Sequence, residues 1–239
     1  MHLKRRVIFV ARKKIVFVIV EGPSDDDAIG YFLDKLFDKN TVYVQVMHCD
    51  ITTQNGVNSK NIHLKCCDVI KNYAANNSFR KTDFLEIIHI VDTDGAYISP
   101  ERITEDPSAT EVIYTPNNII CKKKSDIEKR NEQKSSVLDK LIGCKNIWAT
   151  IPYRVFYMSC NLDHVLYDKQ NSTDEEKEAN AHAFAKKYKN KLADFRSFIT
   201  ESSFSVCTDY QESWDFIKQG ENSLNRYTNL GLSFPTKDE

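Results

Sequence analysis

No cysteine pair at C-x-x-C spacing, no P-loop motif, no low-complexity tract and no apolar run of membrane-span length occurs in this sequence. The seven cysteines, Cys49, Cys66, Cys67, Cys121, Cys144, Cys160 and Cys207, are odd in number and scattered. That pattern argues against a zinc knuckle and a disulfide framework, and for reduced thiols in a cytosol. The apolar start is broken by Arg12, Lys13 and Lys14 before it reaches signal-peptide length, so a cytoplasmic chain without membrane association is expected. Charge of one sign is also missing. The formal net charge is −1, which excludes a globally electropositive glove for nucleic acid and requires any polyanionic partner to meet a local basic face. Lys4, Arg5, Arg6, Arg12, Lys13 and Lys14 form such a stretch, whereas residues 101–111 and 174–178 lean acidic.

What is present is a composition, 41% hydrophobic and 28% charged, that suits a compact α/β domain with an appended subdomain. Residues 15–20 (IVFVIV) form a short β-branched apolar run, the pattern of a strand buried on both faces of a parallel sheet. The run stops at Glu21-Gly22-Pro23. Ser24 and Asp27 match a capping box, and Ala28, Ile29, Phe32, Leu33, Leu36 and Phe37 repeat at helical spacing. Residues 41–47 predict a second strand and residues 84–91 (FLEIIHIV) a third, ending at Asp92-Thr93-Asp94-Gly95. Between them, Ile62, Cys66, Val69, Ile70 and Tyr73 mark a helix. This β-α-β-α-β alternation predicts a parallel, helix-covered sheet.

Residues 96–120, punctuated by prolines, read as an irregular insertion with at most a short strand at 111–114. A helix is predicted over 124–141, a fourth strand over 154–158, and a helix capped by Asn161. Ala179, Ala183, Phe184, Tyr188, Leu192, Phe195 and Ile199 predict one long amphipathic helix. The expected division is an α/β domain over 1–168 and a mainly helical C-terminal subdomain over 169–239.

Ligands of open parallel sheets gather outside the carboxyl ends of the strands. Glu21 ends the first strand and Asp92 the third, so if those strands are neighbours Glu21, Asp92 and Asp94 meet at one edge. Three crowded carboxylates need protons or a divalent cation, and an all-oxygen ligand set favours Mg²⁺ or Mn²⁺.

The stretches Val20-Glu21-Gly22-Pro23-Ser24-Asp25 and Ile90-Val91-Asp92-Thr93-Asp94-Gly95 resemble the two motifs of the Toprim domain, found in topoisomerases, primases, ribosomal-RNA maturases and the overcoming-lysogenisation-defect nucleases of phage defence. The resemblance implies a Rossmannoid Toprim-like sheet and metal-dependent phosphoryl chemistry on DNA or RNA. Glu21, Asp92 and Asp94 would be the catalytic metal-binding acids, with Asp25 helping to hold a second ion. It also implies an endonuclease acting as an abortive-infection effector, with an ATPase partner from a defence system. Lys122, Lys123, Lys124, Arg154 and Arg226 are the candidate nucleic-acid contacts. Two other readings stay open: a haloacid-dehalogenase-like phosphatase with Asp92 as nucleophile, although Ala96 replaces the threonine of D-x-D-G-T, and a non-catalytic binding module. His164 reads as a structural histidine, and Trp214, Phe216 and Ile217, followed by the polar stretch 222–227, as a core anchor for the tail in preference to a surface that stacks and holds nucleic acid.

Overall fold

A computed structural model describes residues 13–39 and 41–235. The basic side chains of Lys4, Arg5, Arg6 and Arg12 lie outside the described residues. The chain runs β1 (Lys14–Val20), then α1 (Pro23–Asp25), a π-helical turn (Asp26–Gly30) and α2 (Tyr31–Leu36), followed by β2 (Val42–His48), α3 (Ile62–Asn76) and β3 (Phe84–Asp92). Three short strands come next, β4 (Ile103–Glu105), β5 (Ile113–Tyr114) and β6 (Ile119–Cys121). The remainder is α4 (Lys124–Ile142), β7 (Asn146–Ile147), β8 (Ile151–Ser159), α5 (Leu162–Tyr167), α6 (Asp174–Tyr188), α7 (Leu192–Thr200), α8 (Tyr210–Ile217) and β9 (Tyr227–Thr228).

The main sheet has the order β2-β1-β3-β8-β7, with β9 also pairing β8. The β2, β1, β3 and β8 strands are mutually parallel, and β7 and β9 are antiparallel to β8. The protein is therefore α/β with a mostly parallel mixed sheet flanked by helices. Parallel strands buried on both sides need apolar residues at every position, and β1 from Ile15 to Val20 is at most 2% exposed. Alternate residues feed two cores. Ile15, Phe17 and Ile19 pack with α3, the inner face of α4, and Trp214 and Ile217 of α8. Val16, Val18 and Val20 pack with Ala28, Ile29, Phe32, Leu33 and the apolar faces of α5, α6 and α7.

Several expectations are corrected. The short strand expected within 111–114 is present as β5, but the 96–120 segment also holds β4 and the start of β6, and the three make a small sheet over their own core of Ile98, Ile103, Ile119, Cys121 and Leu224. The pattern was hard to read because each strand is two or three residues long. The long C-terminal helix is broken into α6 and α7, because Asn190 takes a left-handed φ of 63° between them. The first helix begins two residues earlier than its predicted box: Gly22 occupies the cap and its N–H is bonded by Asp25 Oδ2 at 2.9 Å. Residues from 169 onward are mainly helical, yet they pack into both cores of the sheet and supply β9 to its edge. Among the described residues no helix is long and apolar enough to cross a membrane.

Phe32 joins the first helical segment to this C-terminal part, stacking on Phe195 with centroids 4.3 Å apart. Phe32→Ala should cost about 3–5 kcal/mol of unfolding free energy, measured as a lower urea midpoint with an unchanged m-value. A loss under 1 kcal/mol, by about the standard of an exposed site, would show that α7 is not held through this contact.

Candidate metal and phosphoester site

The β1 and β3 strands are direct neighbours, with Ile19 paired to His89, so their carboxyl ends lie side by side. Glu21 follows β1, Asp92 closes β3, and Glu21 Oε1 accepts the Asp92 backbone N–H at 3.1 Å. Asp92 Oδ1 in turn accepts the Leu162 N–H at 3.0 Å, at the start of the helix that follows β8. Asp94 sits in the next turn with φ 48°, and Gly95 with φ 67°. A side chain at Gly95 would strike Leu224, whose Cδ2 lies 2.5 Å from the Cβ position. Only glycine fits this turn on both counts. The turn is secured from the C-terminal segment: Thr93 Oγ1 donates to Ser223 O at 2.7 Å, and Gly95 N donates to the same carbonyl at 3.1 Å.

Behind the acids lies α4. Arg130 donates to the Asp94 carbonyl at 2.8 Å and Asn131 to the Gly95 carbonyl at 3.2 Å. Lys134, fully buried, reaches Glu21 Oε1 at 3.4 Å and bonds closely to Asp94 Oδ2. This lysine was missed from sequence. The available signal was its place on the buried stripe Ile127, Asn131, Lys134, Leu138, Leu141, because an ammonium inside an apolar stripe requires an anionic partner. Asp50 was missed too. It lies two residues past the end of β2, lines the same cleft, and shares Thr52 with Glu21 through bonds of 3.1 and 3.5 Å. The strand-end rule that selected Glu21 applies to it equally.

One ammonium serves several carboxylates, and the titration behaviour divides accordingly. Burial pushes Glu21 up to about 8, with Lys134 opposing and Asp94, Asp50 and Asp25 adding to the rise. Burial, then the neighbouring Glu21, Asp25 and Asp94, lift Asp92 well above the carboxylate range. Burial acts upward on Asp94 as well, but the Lys134 and Arg130 charges outweigh it and hold that carboxyl below its usual value. Desolvation disfavours charge on Lys134, and Asp94, Glu21 and Asp92 overcome it, so the amine stays protonated. The ionised pair is Lys134 with Asp94, the shorter of its two contacts. Asp25 is raised to about 6 by burial, against the Gly22 backbone bond.

These acids line a cleft of about 790 Å³ with Asp163 and Glu111. The expected acids Glu21, Asp25, Asp92 and Asp94 are thus together in one cleft. Lys122, Lys123, Lys124, Arg154 and Arg226 do not line it. Arg154 pairs with Glu86 at 2.9 Å, and Arg226 bonds the Val165 carbonyl at 2.8 Å. Lys123 pairs with Asp126 at 3.3 Å. His164 accepts the Cys160 N–H at 3.4 Å inside the fold, and burial lowers it to about 4. Trp214 is buried and donates its indole N–H to Val155 O at 3.3 Å, an anchor for the tail.

Comparison of the chain with protein-family models, curated proteins and solved structures finds no match. The chemistry of the site rests on its own atoms. Hard oxygen donors suit Mg²⁺ or Mn²⁺, and the raised carboxyls of Glu21, Asp25 and Asp92 show that Lys134 does not supply enough positive charge for all of them to ionise. Among the described residues no three His, Cys, Asp or Glu side chains already converge as a coordination cluster. Lys134 holds two of the oxygens that an ion would take.

The folded pKa of Glu21 lies above its ordinary 4.5, at about 8. Between those values the folded site keeps a proton that the unfolded chain has released, so stability falls as pH rises through the window. In metal-free buffer the melting temperature should decline from pH 4.5 to pH 8, and Glu21→Gln should flatten that slope in differential scanning fluorimetry. An identical slope in the variant would remove Glu21 as its source. Lys134→Met leaves Asp94 buried without its counter-charge and should cost about 3–5 kcal/mol. If the site takes a divalent ion, millimolar Mg²⁺ should recover part of the variant's lost melting temperature.

Proposed function

We propose that this protein is a Mg²⁺- or Mn²⁺-dependent endonuclease with a Toprim-like sheet, hydrolysing phosphodiesters of DNA or RNA at Glu21, Asp92 and Asp94, with Asp25 assisting. The observation that carries the reading is the pairing of β1 with β3, which puts the Glu21 carboxylate on the Asp92 backbone at 3.1 Å at the carboxyl edge of a parallel sheet. Acids that burial and mutual crowding keep protonated are groups that a divalent cation relieves.

Glu21, Asp92 and Asp94 would hold the ion, and Asp25 would neighbour it. When bound, such an ion supplies Lewis-acid polarisation of a phosphate and a water of lowered pKa. The chain's own contribution is positional. The Leu162 N–H fixes one Asp92 oxygen, leaving the other to face the cleft. Lys134 provides a buried positive charge against the negative charge that develops on a phosphate oxygen, and Arg130 and Asn131 hold the Asp94–Gly95 turn still. The role of an abortive-infection effector, with an ATPase partner, is the setting the Toprim resemblance supplies.

Use of Asp92 as a phosphatase nucleophile is the weaker reading, since it leaves Glu21, bonded to the Asp92 backbone at 3.1 Å, without a task, and Ala96 stands where D-x-D-G-T has its threonine. Plasmid, single-stranded DNA and RNA are to be incubated with Mg²⁺ or Mn²⁺ and wild type, Glu21→Gln or Asp92→Asn. Both variants should lose on the order of a hundredfold or more of the cleavage rate. Phosphatase activity that survives Glu21→Gln but not Asp92→Asn would replace the nuclease by the phosphatase, and no metal-dependent turnover would leave a binding module.

A further inference from the structure

The acidic cleft is closed on one side by a clasp. Asn171, in the loop between α5 and α6, presents its amide to the backbone of Tyr114 in β5: Asn171 Oδ1 accepts the Tyr114 N–H at 2.8 Å and Nδ2 donates to the Tyr114 carbonyl at 2.8 Å. Both residues line the cleft, so a side-chain amide joins its two walls as a strand neighbour would. The Tyr114 hydroxyl is held from behind by Arg130 at 2.7 Å, the same arginine that bonds the Asp94 carbonyl at 2.8 Å. The clasp is therefore tied to the turn that carries the acids.

We propose, on the nuclease reading above, that the substrate of this site is single-stranded nucleic acid and that the Tyr114–Asn171 clasp excludes duplex. A volume of about 790 Å³ lies in the range of sites that hold one drug-sized molecule, room for a few unpaired nucleotides and not for a second strand. A phosphodiester over Glu21 and Asp92 has to pass between walls that the clasp holds together. A single strand can do so with its bases turned aside, whereas a paired partner would occupy the space of β5. The half-buried Tyr114 ring on the cleft wall offers a face for an unstacked base. Seven carboxylates and one ammonium, Lys177, line the cleft, so entry of a phosphate chain requires divalent cations.

The test compares a single-stranded oligonucleotide with a covalently closed dumbbell duplex of the same sequence, in cleavage with Mg²⁺ or Mn²⁺ and in binding by fluorescence anisotropy with Ca²⁺ or EDTA. Wild type should cut and bind the single strand on the order of tenfold better than the dumbbell, with binding lost in EDTA. Asn171→Ala, and Asn171→Asp as a milder lesion checked by melting temperature, should raise the dumbbell-to-single-strand rate ratio about fivefold by loosening the clasp. Equal cleavage of both substrates by wild type would overturn the single-strand assignment while keeping the nuclease. Selective binding of the single strand without any cleavage would keep the assignment and sink the nuclease. An unchanged ratio in both Asn171 variants, at wild-type folding, would overturn the clasp as its cause.

Discussion

One buried ammonium faces more carboxylates than it can neutralise. Lys134 lies on the inner face of α4, and its charge is matched by Asp94, leaving Glu21 and Asp92 to be satisfied by something else. Isolated ionised carboxylates cannot persist in such a place. Either protons or a cation must come in, and the rest of the molecule is arranged around that debt of positive charge. The parallel sheet brings the acids to one edge, α4 delivers the lysine from one face, and the N-terminus of α5 delivers a backbone donor to Asp92 from the other.

The strands were legible because burial on both faces leaves no latitude in composition: IVFVIV and FLEIIHIV have few other ways to be accommodated. The adjacency of β1 and β3 was inferable only as a rule of topology, and the Glu21 to Asp92 bond is its outcome. Lys134 was hidden by its surroundings, since α4 is rich in Lys, Glu and Asp and one buried lysine among exposed ones shows only when the helix is divided into faces. The small sheet of β4, β5 and β6 escaped because strands of two or three residues carry no periodicity. The Asn171 to Tyr114 bridge escaped for another reason: it links residues 57 positions apart through a side chain standing in for a strand.

Local and global preferences agree through most of the chain and part company near the site. Asp94 adopts a left-handed backbone, which is uncommon outside glycine. Four cleft carboxyls, Glu21, Asp25, Asp92 and Asp163, are lifted by burial. Left-handed residues recur elsewhere, at Ser78, Trp148, Ala149, Asp168 and Asn190, so what distinguishes this cleft is its desolvated charge, a feature shared by functional sites and structural ion-pair networks.

The turn that presents Asp94 is shaped by residues from near the far end of the described chain, with the Ser223 carbonyl receiving both Thr93 and Gly95, and Leu224 filling the space that any side chain at Gly95 would need. The acids of the proposed metal site, Glu21, Asp25, Asp92 and Asp94, all precede this segment in sequence by more than a hundred residues. A fragment ending before residue 223 would therefore carry these side chains without the carbonyl and the leucine that shape the Asp94–Gly95 turn.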